Sequence, residues 1–136
     1  MDTIERPVAP DYRAPDGSEI RLLPSTPRGG LSCCSLAPGR ATRPVKHRSV
    51  EEIWYCVSGR GQLWRKYGQT ESVIDLKPGI SCLIPFQTEF QFRTIGGADD
   101  AGVVEEQLEL VIATFPGWPG PEEAIPVDTG KWPHSA

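Results

Sequence analysis

Glycine and proline, fourteen of each in 136 residues, interrupt this chain too often for a long helix to run through it, since each breaks or weakens a helix interior. The apolar residues between these breaks come in short runs, and none recurs with the three-to-four residue period and caps of a helix. The runs predict eight or nine short strands: Glu19 to Leu23, Leu31 to Leu36, Arg43 to His47, Glu51 to Ser58, Arg60 to Tyr67, Ser72 to Leu76, Ile80 to Ile84, Glu89 to Thr94 and Gln107 to Phe115. Lys77-Pro78-Gly79 has the chemistry of a tight turn, with proline fixing φ and glycine free to take a positive one. Short strands with this punctuation predict an all-β jelly roll. The length suits one domain with one core. Residues 1–18 read as an N-terminal arm, 19–115 as the β-barrel, and 116–136 as a Pro-rich tail. Trp118 and Trp132 should pin that tail to the barrel or to a partner, because burying an aromatic side chain contributes roughly 1.5–3 kcal/mol. Apolar residues in the arm and tail lead us to expect a homodimer with both crossing the interface. Residues 96–102 read as a flexible polar loop.

Composition excludes several function classes. The net charge is −4 and the basic residues are scattered, so there is no electrostatic footprint for nucleic acid. No apolar run approaches a membrane span, and the N-terminus has no signal-peptide apolar region. A cytoplasmic protein that acts neither on nucleic acid nor in a membrane is expected. Cys33, Cys34, Cys56 and Cys82 show no metal-type spacing and read as reduced, mostly buried thiols. No phosphate-binding glycine loop or nucleophile elbow is present.

The ionisable residues suited to chemistry gather between His47 and Arg93, at strand ends. Strand alternation puts Val45 and His47 on one face, and likewise Glu52, Trp54 and Cys56, with Lys46, Tyr55 and Val57 opposite. This is one imidazole and one carboxylate in a largely apolar pocket. Trp54, Cys56, Phe90, Phe92, Gln87 and Val45 are the candidate substrate-binding residues, with Trp64 a further candidate wall, and they suit a small, partly apolar metabolite.

This middle stretch resembles the cupin superfamily. Gly39 is followed after five residues by Val45-Lys46-His47, then after four by Glu52, then after six by Gly59. That is the spacing of the first cupin motif, with Val45 in place of its first histidine. In the second motif Gly79 and Pro85 fit, Gln87 replaces a glycine and Phe90 stands where a histidine belongs. The match covers residues 36–94, and with the flanking strands it looks like a small single-domain bacterial cupin. The resemblance implies a double-stranded β-helix with a divalent metal at the barrel mouth. Carried over residue by residue, only His47 and Glu52 survive as ligands. The third would be Glu89, Glu51 or Gln87, and the set His47, Glu52 and Glu89 would hold Mn²⁺, Fe²⁺ or Zn²⁺ weakly. Two functions are implied. One is an isomerase, lyase, cyclase or oxygenase using His47 and Glu52 as catalytic residues, with or without metal. The other is a non-catalytic small-ligand or sensor barrel. A Glu89 side chain directed into the barrel would favour the first, and one directed outward the second.

Overall fold

The computed structural model of the protein describes residues 1–95 and 106–134; the expected polar loop at 96–102 lies outside them. The described residues hold eleven strands and one short 3-10 turn. The strands are β1 (Tyr12–Arg13), β2 (Glu19–Thr26), β3 (Gly29–Leu36), β4 (Val45–His47), β5 (Glu51–Ser58), β6 (Gly61–Tyr67), β7 (Thr70–Leu76), β8 (Ser81–Ile84), β9 (Glu89–Thr94), β10 (Leu108–Phe115) and β11 (Ala124–Pro126), with the turn at Pro121–Glu123 before β11. They form two sheets, one in the order β1-β2-β3-β10-β5-β8 and the other β11-β4-β9-β6-β7. This is the expected all-β jelly roll.

Strand β5 shows how the sequence builds it. Its residues alternate strictly between exposed and buried, which sends Glu52, Trp54 and Cys56 inward and Glu51, Ile53, Tyr55 and Val57 outward. The inward set meets Leu108, Leu110 and Ile112 of β10 and Phe90 and Phe92 of β9 in one core between the sheets. Glycines close the barrel where backbones touch. A Cβ on Gly61 would run into the Arg93 carbonyl, and one on Gly59, whose φ is +83°, into that of Gln107. No residue with a side chain fits either place.

Strand β2 runs three residues beyond its expected end, through Pro24. The pairing with β3 shifts register between Leu22 and Ser25, and a proline without an N–H is accommodated at such a bulge. The arm folds back on its own barrel. Tyr12 and Arg13 pair with Ile20 and Glu19, and the buried Arg21 donates from Nε to the Pro7 carbonyl (3.0 Å) and from Nη2 to that of Val8 (2.9 Å). The tail does the same. Strand β11 pairs with β4, and the buried Gln91 amide holds the backbone of Lys131 and Trp132. The Trp132 ring also lies 4.3 Å from the Arg93 guanidinium. All four cysteines are free, and Cys33 and Cys34 are buried on opposite faces of β3. No helix among the described residues is long and apolar enough to cross a membrane.

Candidate acid–base site

The two sheets, the arm and the tail line a cavity of about 470 Å³. Strands β4, β5, β9 and β10 supply its floor, the arm supplies Tyr12 and Asp16, and Trp118 to Pro121 of the tail form part of its wall. His47 and Glu52 both line it, as their registers predicted, with relative exposures of 6% and 5%. Glu52 is fixed by its same-face neighbours. Trp54, two residues on, donates from Nε1 to Oε1 at 3.0 Å. Thr114, its cross-strand partner on β10, donates from Oγ1 to Oε2 at 3.0 Å. His47 is held by shape alone, edge to face with Phe90 and Trp118 at ring-centroid distances of 5.1 and 5.3 Å. Its Nδ1 is buried without a hydrogen-bond partner and lies 3.8 Å from Glu52 Oε1, too far for a hydrogen bond.

Burial governs the charge states. Desolvation lowers the His47 pKa to about 4, opposed by the charge of Glu123. Desolvation also raises Glu52 to about 7, against the bonds from Trp54 and Thr114 and with help from the nearby Asp16. The pair is therefore a neutral imidazole facing a carboxyl group that keeps its proton up to near neutrality, and not an ion pair. Such a pair can take one proton and give another.

Of the other expected residues, Val45, Trp54, Phe90 and Phe92 line the cavity. Cys56 does not; it is buried behind Trp54 in the core, its thiol directed at the Ser58 carbonyl. Gln87 is exposed in the turn before β9, with φ of 64°. Trp64 points away from the cavity and donates to Glu71 at 2.7 Å. Glu89 pairs across the sheet with Lys46 and Lys66, on the face of β9 opposite Phe90 and Phe92, and is absent from the lining. Glu51 is exposed on the outer face of β5.

The donor set does not fit the divalent metal implied by the sequence resemblance. Among the described residues no three His, Cys, Asp or Glu side chains are grouped to hold an ion. Val45 and Phe90 place hydrocarbon where ligands would stand, which leaves His47 and Glu52 at the expected ligand positions.

Residues not expected at the site from the sequence complete it: Tyr12, Asp16, Ser18, Cys34, Thr114 and Trp118. One of them carried a readable signal. Leu108, Leu110 and Ile112 give β10 an apolar inward face, and Thr114 is the hydroxyl in that series.

No family profile matches the chain, and no curated protein matches it in sequence. Solved structures do match in shape. KdgF from Halomonas sp. superposes with a TM-score of 0.58 at 18% identity, over 73% of this chain and 78% of that one. A Klebsiella pneumoniae protein with a double-stranded β-helix domain gives 0.60 at 17%, over 81% and 79%. The Mn(II)-containing oxalate decarboxylase of Bacillus subtilis gives 0.62 at 16%, over 80% of this chain but only 28% of that enzyme. The chain has the cupin fold, the double-stranded β-helix.

Proposed function

We propose that this protein binds a small, partly apolar metabolite in the cavity and that His47 and Glu52 transfer protons on it, as in an isomerisation, dehydration or cyclisation. One observation carries the reading: a desolvated imidazole with an unpartnered Nδ1 stands 3.8 Å from a desolvated carboxyl group in an aromatic-walled cavity. Keeping two such groups in an apolar cavity costs stability, a cost that points to use at the site and not to folding. Neutral His47 removes a proton from the ligand, and the Glu52 carboxyl group supplies one to the oxygen that gains electron density. Trp54 and Thr114 hold the carboxyl group in place through the exchange. Both groups have the required forms between their pKa values of about 4 and about 7, so the rate should follow a bell within that interval. Oxygenase chemistry lacks support, because its redox metal would have two protein ligands.

Small carbonyl compounds incubated with the protein in deuterated water test this. Deuterium should enter the carbon beside the carbonyl, and His47→Ala should abolish the exchange while the protein stays folded. The second reading, a binding barrel without catalysis, is favoured by the outward placement of Glu89. Binding without exchange in the unmodified protein would establish it.

We also propose that two copies associate, through the outer face of the six-stranded sheet instead of through the arm and tail, which serve their own barrel. Support comes from two aligned rows on that face, Leu31, Ala113, Ile53 and Leu83, then Cys33, Val111, Tyr55 and Ser81, in which Leu31, Ile53, Tyr55 and Leu83 are exposed. Sedimentation should give a dimer that Tyr55→Glu dissociates, and a monomer at micromolar concentration would refute it.

A further inference from the structure

Two buried carboxyl groups line the cavity, and no cationic side chain does. Asp16, brought in by the arm, and Glu52 are each more than nine-tenths buried. None of the chain's fourteen lysines and arginines is among the lining residues. Among the described residues, the ion pairs that arginines make are to Glu109 and Glu19, on the surface. Asp16 therefore has no counter-ion, and Glu52 has only the neutral His47.

Hydrogen bonding leaves acceptors over. The hydrogen bonds to the Asp16 side chain come from Ser18 N–H (2.9 Å) and Oγ–H (2.6 Å), and both land on Oδ1. Each Glu52 oxygen takes one hydrogen bond and has a second lone pair. The unpartnered Nδ1 of the nine-tenths buried His47 can accept as well. Around these acceptors stand the rings of Tyr12, Trp54, Phe90 and Trp118, whose faces attract cations. An anionic ligand would meet two carboxyl groups, with the unpartnered indole N–H of Trp118 as a neutral donor and no cation to offset them.

We propose that the cavity takes a small organic amine, bound as its ammonium with its N–H groups directed at Asp16 and its carbon skeleton against the aromatic wall, where His47 and Glu52 face the skeleton. The inference rests on the reading of this cavity as the ligand site and adds the charge class of the ligand. Asp16 is then a specificity residue. It selects the cation and takes no part in proton transfer.

The test uses three probes of one shape: benzylamine, benzyl alcohol and benzoate, titrated calorimetrically into the intact protein at about pH 7.5, where the amine is cationic. Benzylamine should bind at least about tenfold more tightly than benzyl alcohol, and benzoate should not bind. Asp16→Asn keeps an oxygen for Ser18 and should reduce the benzylamine affinity to within about threefold of the alcohol. If that variant does not fold, the comparison of the three probes in the unmodified protein decides. Equal affinity for amine and alcohol, or tighter binding of benzoate, overturns the amine inference and leaves the cavity as a ligand site. Failure of all three to bind overturns both.

Discussion

Glu52 and Glu123 are the same residue type, buried to the same degree at 5% and 4% exposure, and they do opposite work. Glu123 comes from the 3-10 turn of the tail and meets the turn between β4 and β5. It accepts from the Ser49 backbone N–H, from the Ser49 hydroxyl at 2.9 and 2.8 Å, and from the Val50 N–H at 2.7 Å. Backbone donors that would otherwise be orphaned are satisfied by its charge, so the carboxylate acts as a clamp. Glu52 receives only an indole N–H and a hydroxyl, both from side chains, and faces an imidazole nitrogen that gives it nothing. Burial alone therefore does not separate a structural acid from a functional one; the number and kind of donors does.

The largest effect that would break this comparison is on the clamp. Glu123→Ala leaves the buried Val50 N–H and the Ser49 donors without their acceptor and should cost roughly 3 kcal/mol in denaturant unfolding; a loss under about 1 kcal/mol would remove the distinction.

Glu52→Gln should act in the other direction. The folded-state pKa of Glu52, about 7, lies above its ordinary 4.5, so the unfolded chain releases this proton first and stability falls as pH rises from 4.5 to 7. His47 is displaced downward, from 6.5 to about 4, and its contribution is lost as pH falls through that interval, so in the unmodified protein the two nearly offset. Glutamine keeps the geometry, accepting from Trp54 and donating to Thr114, and removes only the Glu52 component. The variant should match the unmodified protein below about pH 4.5 and exceed it by on the order of 3 kcal/mol above pH 7, while losing proton exchange. A gain that appears at low pH instead would contradict the assignment.

The smallest effect concerns Glu89. Glu89→Gln, on the outer face of β9, should change stability by less than about 0.5 kcal/mol and leave ligand binding intact, as should a chelator. Loss of binding in either experiment would restore the three-ligand metal site.

These contrasts explain how much was legible in the sequence. The strand pattern and the His47 to Glu52 spacing gave the fold and the two central groups, because both rest on local alternation and on counting. Glu89 sits one residue before an inward Phe90, so the period of two that brings Phe90 in turns it out. Asp16 was not legible as part of the site, Thr114 only as the hydroxyl of an inward face, and Glu123 not as the clamp beside it. Thr114 and Glu123 reach their partners across 62 and 74 residues, and no local pattern records contacts of that span. Trp118 was half legible: its size required burial, but its seat on His47 did not follow.

The cavity takes its wall from both flanks of the barrel, Tyr12 and Asp16 on one side and Trp118 to Pro121 on the other. During synthesis the floor of β4, β5 and β9 leaves the ribosome well before the segment that walls it. The site therefore comes into being only when that last segment has docked, and a chain cut short before Trp118 would present a shallow trough in place of the walled cavity. A ligand that stabilises this fold would do so for finished molecules alone, and would favour them over prematurely terminated ones without any further machinery.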